Sequence, residues 1–209
     1  MSGVTPVIRN GSITIEELPE SFESSYLDRA TVNAIFERWR GNRMLIPRIS
    51  KVTVNICVGG YSERLDKAVK VLRMLTGQEP SIRRAKQTIK EFGISRRQPI
   101  AAVVTLRGER SLEFLRKALY AVNYTLKASS FDPYGNVAFG ITEHIALPGV
   151  KYDPELGIFG MDVAVTFERP GFRVARRRRC RSTIPRRHRV TREEAMLFLE
   201  LLFGVRIVG

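Results

Sequence analysis

Clustered arginines are the residues of this sequence whose type and spacing suggest a chemical role. The arginine arm, defined here as residues 173–189, holds nine arginines in seventeen positions. The planar guanidinium of arginine chelates phosphate oxygens through paired N–H groups, whereas the ammonium of lysine acts as a point charge. No acidic residue lies between Glu168 and Glu193. The arm therefore predicts a surface that binds a polyanion.

A nucleic-acid partner accounts for the arm better than a solvated surface or a membrane does. A solvated charged surface would normally mix acidic residues with the arginines, and an interfacial membrane helix would carry more large apolar residues. Ile184 and Pro185 interrupt the arginines, which argues against a continuous helix and favours an extended segment that orders on RNA. The arginines expected to contact RNA are Arg176, Arg177, Arg178, Arg179, Arg186 and Arg187.

Residues suited to catalysis or metal binding are few. The two histidines are His144, in a predicted strand after Glu143, and His188, inside the arm. No cluster of ligands has metal-site spacing, no P-loop or GxGxxG motif occurs, and no two carboxylates stand out as general acid and base. We therefore predict no catalytic residue, no metal and no cofactor. Cys57 and Cys180 are isolated, which favours reduced thiols over a disulfide.

The composition limits the classes of protein to which this chain can belong. Of the 209 residues, 44% are hydrophobic, which is ordinary for a globular protein with a sizeable core. Lys and Arg total 35 against 21 Asp and Glu, and the net charge is +14. The segment between Glu168 and Glu193 holds eleven arginines, which leaves +3 for the rest of the chain. No apolar run reaches transmembrane length and no signal peptide is present, so we expect a soluble, cytoplasmic protein without a membrane partner.

Hydrophobic periodicity predicts the elements that would position these residues. Strands are expected over residues 51–58, 81–84, 99–107 and 159–168, and short strands are expected on either side of a turn at residues 132–136. Helices are expected over residues 27–40, 65–75 and 109–123 and after a capping box at Thr191. This order predicts an α+β fold, with a largely antiparallel sheet, helices packed on one face and an open face that binds RNA.

The domain organisation is expected to be simple. Residues 1–43 are predicted to form an N-terminal extension, partly disordered, and the first helix. Residues 44–205 are predicted to form a single α+β domain that includes the arginine arm.

The open face of the predicted sheet carries polar side chains. If the apolar residues of the strands are buried, Lys51, Thr53 and Asn55 point outward on one strand, and Thr105 and Arg107 do so on another. Charge together with adaptable hydrogen bonding suits a structured RNA, which is recognised through its shape, phosphates and 2′-hydroxyls. An ordinary solvent-exposed face explains the same pattern equally well. The face has no aromatic residues there, so base stacking of the RRM type is not supported.

Six stretches of the chain resemble, in sequence order, the family of universal large-subunit ribosomal protein five. The stretches are Pro47–Asn55 with Val58–Gly59, Leu75–Pro80, Val104–Gly108, Gly135–Asn136 with Phe139–Ile141, Tyr152–Asp153, and Ile158–Asp162. The similarity covers roughly residues 44–205. The segments Asn55–Gly59, Glu143–Ile145, Arg169–Phe172 and His188–Ala195 resemble the archaeal and eukaryotic type of the family rather than the bacterial type.

The resemblance implies a structural protein that fastens 5S rRNA to the central protuberance of the large subunit. The family positions that contact RNA correspond to Lys51, Asn55, Gln78, Thr105 and Arg107. The basic loop 86–98 corresponds to the segment that reaches toward peptidyl-site tRNA, and its cations are Lys86, Lys90, Arg96 and Arg97.

Further partners implied by the resemblance are large-subunit rRNA, another 5S rRNA-binding ribosomal protein and a protein in the small-subunit head. The last contact is expected near residues 130–140. Two other classes of protein compete with this interpretation. An RNA-processing enzyme would need a nucleophile or metal cluster, and a DNA-compacting protein would bind duplex DNA as tightly as 5S rRNA.

Overall fold

The computed structural model describes residues 22–60 and 63–209, and its fold is α+β. The helices are α1 (Arg29–Gly41), α2 (Glu63–Thr76), α3 (Glu109–Ala121), α4 (Arg173–Arg176) and α5 (Arg192–Phe203). The strands are β1 (Arg48–Cys57), β2 (Ser81–Arg84), β3 (Pro99–Leu106), β4 (Thr125–Lys127), β5 (Val137–Ile141), β6 (Met161–Glu168) and β7 (Arg206–Val208). The predicted fold class is therefore confirmed.

Five strands form the main sheet, in the order β2-β3-β1-β6-β5. Strand β3 pairs antiparallel with both β1 and β2, and Thr53 lies opposite Thr105 in the β1–β3 register. A separate parallel pair joins β4 and β7. The alternation of buried apolar and polar residues in β1, and the β-branched residues of β3, explain why the sequence predicted both strands to within a few residues.

The contacts group the chain into two compact units, each built from separate segments. One unit contains the described part of Met1–Lys51 together with Val122–Ala138 and Val165–Gly209, and the other contains Val52–Ala121 and Phe139–Ala164. The expected boundary after residue 43 stays a prediction. Of the predicted extension, residues 1–21 lie outside the described part of the chain.

The unit formed by Val52–Ala121 and Phe139–Ala164 buries the apolar set of its strands. Val52, Val54 and Ile56 of β1 have almost no exposure, and helix α2 packs against β3. Helices α2 and α3 bury the side chains Leu65, Ala68, Val71, Leu72, Leu112, Leu115 and Leu119. Burying one alternating set leaves the polar set of β1 on the opposite face of the strand.

The other unit is centred on aromatic side chains. Phe36 and Trp39 of α1 are buried with ring centroids 6.1 Å apart, and Phe167 meets Phe198 of α5 edge-on at 5.7 Å. The predicted capping box starts α5: the Thr191 hydroxyl accepts a hydrogen bond from the Glu194 N–H. Gly204 ends the helix with a φ of 64°, a conformation that glycine adopts without strain.

One local expectation is wrong. His144 lies in a single 3-10 turn, His144–Ala146, after β5 has ended, and not in a strand. No helix among residues 22–60 and 63–209 is long and apolar enough to cross a membrane.

Candidate RNA-binding surface

Strands β1 and β3 present a polar face opposite the buried one. In β1, the set Lys51, Thr53 and Asn55 is half-buried and alternates with the buried apolar set. Thr105 is exposed directly opposite Thr53, and Arg107 is exposed just after β3 ends. We define the open face by these five residues. Its two facing threonines and the nearby Asn55 supply hydrogen-bond donors and acceptors on a rigid support.

Gln78 lies apart from these strands in the sequence. It is half-buried in the connection between α2 and β2, and its backbone N–H donates to the Thr76 hydroxyl at 3.4 Å. Strand β2, which begins three residues later, continues the sheet beyond β3, since Ser81 lies opposite Val103. Val103 in turn lies opposite Asn55 of β1. Gln78 therefore lies shortly before the edge strand, and periodicity alone gave no reason to choose it.

An acidic residue borders the open face, which sequence reasoning did not single out. The amide nitrogen of Asn55 lies 3.4 Å from the carboxylate of Asp162, an exposed residue of β6. A groove of about 390 Å³ runs beside this pair. It is lined by Asn55, Cys57, Gly140, Ile141, Thr142, Gly160, Met161 and Asp162.

The basic loop is an ordered hairpin. The Ala85 N–H donates to the Gln98 carbonyl at 2.8 Å, and Ile89 and Ile94 exchange two backbone hydrogen bonds farther along. At the tip, a 3-10 turn over Lys90–Phe92 ends at Gly93 in the left-handed region. Lys86, Lys90, Arg96 and Arg97 are all exposed, and the Phe92 ring at the tip is 72% exposed. The hairpin therefore exposes its four predicted cations along its length and an aromatic ring at its tip.

The arginine arm forms two short turns and no continuous helix, as predicted. Its regular parts are α4 and a 3-10 turn over Arg186–His188. The Ser182 N–H donates to the Val174 carbonyl at 3.3 Å, Ile184 is buried, and the His188 ring nitrogen lies 2.7 Å from the Pro170 carbonyl. These contacts hold the arm against its own unit.

The arginines in and near the arm divide into two groups. Arg169 pairs with buried Glu194, Arg176 pairs with buried Glu168, and the Arg177 side chain donates to the Cys180 carbonyl at 2.8 Å. Arg176 and Arg177 are exposed despite these contacts. The second group is also exposed, but within the described residues its side chains have no hydrogen bond or ion pair. Its predicted members are Arg178, Arg179, Arg186 and Arg187. These four guanidinium groups are available to phosphate.

A concave surface lies beside the arm. A cavity of about 600 Å³ is bordered by Tyr134, Arg181 and Arg189, and the Arg189 guanidinium stacks over the Tyr134 ring at 5.1 Å. The Tyr134 ring is partly exposed, so this part of the unit offers a cation and an aromatic side chain together. No sequence pattern had paired residues so far apart in the chain.

His144 is a buried structural residue. Its Nδ1 accepts a hydrogen bond from the Phe159 N–H at 3.3 Å, and its own backbone N–H donates to the Phe159 carbonyl. Burial lowers the pKa of His144, although the hydrogen bond with Phe159 and the charge of Glu143 oppose that shift. Within the described residues no group of His, Cys, Asp and Glu side chains could hold a metal ion, and Cys57 and Cys180 are free and exposed.

Two family models match most of the chain. A model described as ribosomal protein L5 matches residues 42–95, and one described as the C-terminus of the ribosomal L5 family matches residues 99–198. The first match contains β1 and Gln78, and the second contains β3, β6 and the arginine arm. The predicted similarity over residues 44–205 agrees with these bounds.

Curated relatives named large ribosomal subunit protein uL5 come from archaea. The protein of Aeropyrum pernix is 57% identical over 178 residues, which cover 85% of this chain and 93% of the relative. That of Sulfurisphaera tokodaii is 59% identical over 168 residues, covering 80% and 95%. That of Methanococcus vannielii is 50% identical over 175 residues, covering 82% and 97%. This chain therefore belongs to the ribosomal protein L5 family, in its archaeal type, and is a structural constituent of the large ribosomal subunit and not an enzyme.

Proposed function

We propose that this chain binds 5S rRNA through the open face of its main sheet and so attaches 5S rRNA to the central protuberance. Family membership makes it an rRNA-binding protein of the ribosome in the cytoplasm, where it takes part in translation. The observation that carries the proposal is the placement of Thr53 opposite Thr105, next to Lys51 and Asn55, on the face of β1 opposite the core.

The chemistry of this face supports RNA as the ligand. Hydroxyl and amide groups fixed on neighbouring strands can pair with 2′-hydroxyls and base edges, which lie on the accessible shallow groove of an RNA helix. Lys51 and Arg107 add the positive charge that attracts phosphates. Gln78, in the connection just before the edge strand β2, belongs to the same proposed interface.

Additional contacts complete the proposal. The hairpin of residues 85–98 would lie near peptidyl-site tRNA, and the exposed arginines of the arm would neutralise large-subunit rRNA. Residues near 130–140 would contact a protein of the small-subunit head, and another 5S rRNA-binding protein would share the 5S rRNA. The four predicted arginines that are exposed and unpaired among the described residues support a phosphate-binding role for the arm.

The affinity of the full chain for 5S rRNA tests the central claim. Thr105→Val removes one exposed hydroxyl with little change of shape, and combined with Lys51→Gln it should weaken binding about tenfold or more, since each hydrogen bond contributes roughly 1 kcal/mol. Arg116→Gln with Thr125→Val is the matched control, because both residues are exposed and neither belongs to the open face.

Duplex DNA of equal charge serves as competitor in the same experiment. Preference for 5S rRNA at physiological salt is expected, because DNA lacks the 2′-hydroxyl. Equal affinity for DNA, or equal loss in the open-face and control variants, would refute 5S rRNA binding by this face.

A further inference from the structure

We propose that the Asp162 carboxylate accepts a hydrogen bond from 5S rRNA, donated by a ribose 2′-hydroxyl or by an N–H group of a base. This inference rests on the proposed function of the open face, and it adds a recognition element of the opposite charge to the lysine and arginine there. Asp162 would then act as a specificity-determining residue, because its carboxylate accepts a hydrogen bond from a donor group and repels phosphate.

The position of Asp162 is the first observation. It is exposed on β6, and the Asn55 amide nitrogen lies 3.4 Å from its carboxylate. Within the described residues no Lys, Arg or His nitrogen lies within 4.0 Å of it, although the chain carries a net charge of +14. The carboxylate therefore faces solvent with most of its acceptor capacity unused.

Charge alone makes this placement unfavourable for RNA binding. A carboxylate beside a polyanion is repelled, and the repulsion strengthens as water is excluded from the interface. Phosphate oxygens are acceptors and cannot pair with an ionised carboxylate. The RNA groups that can pair with it are donors, which are the 2′-hydroxyl and the N–H groups of bases. A hydrogen bond to a charged acceptor is stronger than one between neutral groups.

The groove beside Asp162 gives such a donor access. Its volume of about 390 Å³ is enough for a ribose or a base edge, and it opens along Asn55 and Asp162. Gly140 borders the carboxylate, because a Cβ built there would lie 3.9 Å from an Asp162 oxygen. A larger residue at that position would cover the approach. Asn55 supplies an amide beside the carboxylate, so the two side chains present acceptors and a donor together.

Asp162→Asn in the full chain is the decisive variant. Charge attraction alone predicts tighter binding to 5S rRNA when this negative charge is removed. The proposal predicts the reverse: affinity about tenfold weaker, as expected for loss of a charge-assisted hydrogen bond. Glu113→Gln, at an exposed position of α3, removes the same charge away from the open face and should change affinity less than twofold. An unchanged thermal unfolding midpoint for both variants shows that each is folded, and Asp162→Ser provides a second readout if Asp162→Asn unfolds.

Modified 5S rRNA identifies the donor. Single 2′-deoxy substitutions and single inosine-for-guanosine substitutions are made at nucleotides that the wild-type protein protects from chemical modification. One substitution should weaken wild-type binding yet leave binding of the Asp162→Asn variant unchanged, and its type names the source as sugar or base. Binding of Asp162→Asn that equals or exceeds wild-type binding overturns the inference. That result would leave the proposed function unaffected, provided that the wild-type protein prefers 5S rRNA to duplex DNA and that the open-face variant binds 5S rRNA more weakly.

Discussion

The guanidinium of Arg169 and the carboxylate of Glu194 form an ion pair at the start of α5 in which the two residues are only 3% and 0% exposed. Glu194 also accepts from the Thr191 N–H in the capping box, and Arg38 approaches its other oxygen at 3.5 Å. Arg169 belongs to the arginine-rich stretch by sequence, yet its charge is satisfied inside the protein. It contributes to folding and not to attraction of RNA.

Removing one partner of this buried pair should be costly for folding. Arg169→Gln leaves a buried carboxylate without its main counter-charge, so we expect the free energy of unfolding to fall by about 3 kcal/mol. Urea denaturation of the purified chain measures this loss. Arg73→Gln is the matched control, because its pair with Glu79 is largely exposed on both sides and should contribute less than about 1 kcal/mol. Equal losses in the two variants would contradict a structural role for Arg169.

The four exposed arginines of the arm that were predicted to contact RNA and that have no partner among the described residues should instead govern the salt dependence of rRNA binding. Replacing them all with Gln keeps the internal pairs of Arg169 and Arg176 intact, so the arm stays folded. Each phosphate contact that is lost should reduce the slope of log affinity against log salt by about 0.7–0.9. The variant is Arg178→Gln, Arg179→Gln, Arg186→Gln and Arg187→Gln, and filter binding to large-subunit rRNA at several salt concentrations measures its slope.

A second quadruple variant controls for net charge. It removes four exposed cations from helices α2 and α3 and carries Lys70→Gln, Arg110→Gln, Arg116→Gln and Lys117→Gln. The slope should change much less in this variant than in the arm variant. The same decrease in both would mean that the arm acts only through total charge.

The sequence predicted the positive charge of the arm correctly. It did not predict which arginines pair with groups inside the protein and which have no such partner among the described residues. Arginine content and the lack of acids between Glu168 and Glu193 are properties of composition, and they identify a basic segment. Whether Arg176 or Arg178 has a partner inside the protein depends on the position of Glu168, which is buried at the end of β6. Such a partner can be found only once tertiary contacts bring it close.

The strands were likewise predictable from local sequence, whereas the contacts within the candidate site were not. Alternation with a period of two identified the exposed set of β1, because one buried face fixes the register of every residue in the strand. Asn55 and Asp162, however, are 107 positions apart, and only the order of strands in the sheet makes them neighbours.

The hairpin of residues 85–98 should affect tRNA more than 5S rRNA. Replacing its four exposed cations with Gln should speed dissociation of peptidyl-site tRNA from assembled ribosomes about three- to tenfold, since each exposed charge contact contributes less than about 1 kcal/mol. The variant carries Lys86→Gln, Lys90→Gln, Arg96→Gln and Arg97→Gln. Affinity of the free chain for 5S rRNA should stay unchanged. Loss of 5S rRNA binding together with tRNA retention like that of the wild type would assign the hairpin to 5S rRNA instead.

His144 should make the folded chain less stable as the pH falls below about 6.5, the usual pKa of an unfolded histidine. Burial lowers the pKa of His144 in the folded state, so the unfolded chain takes up a proton that the folded chain does not. Its contribution is therefore complete above the unfolded pKa and is lost as the pH falls toward the folded one, by at most about 1.4 kcal/mol per pH unit. His144→Gln keeps an acceptor for the Phe159 N–H but cannot titrate. The difference in unfolding free energy between wild type and this variant, measured in urea, should shrink between pH 8 and pH 5. A difference that stays constant over that range would show that His144 remains equally protonated in both states.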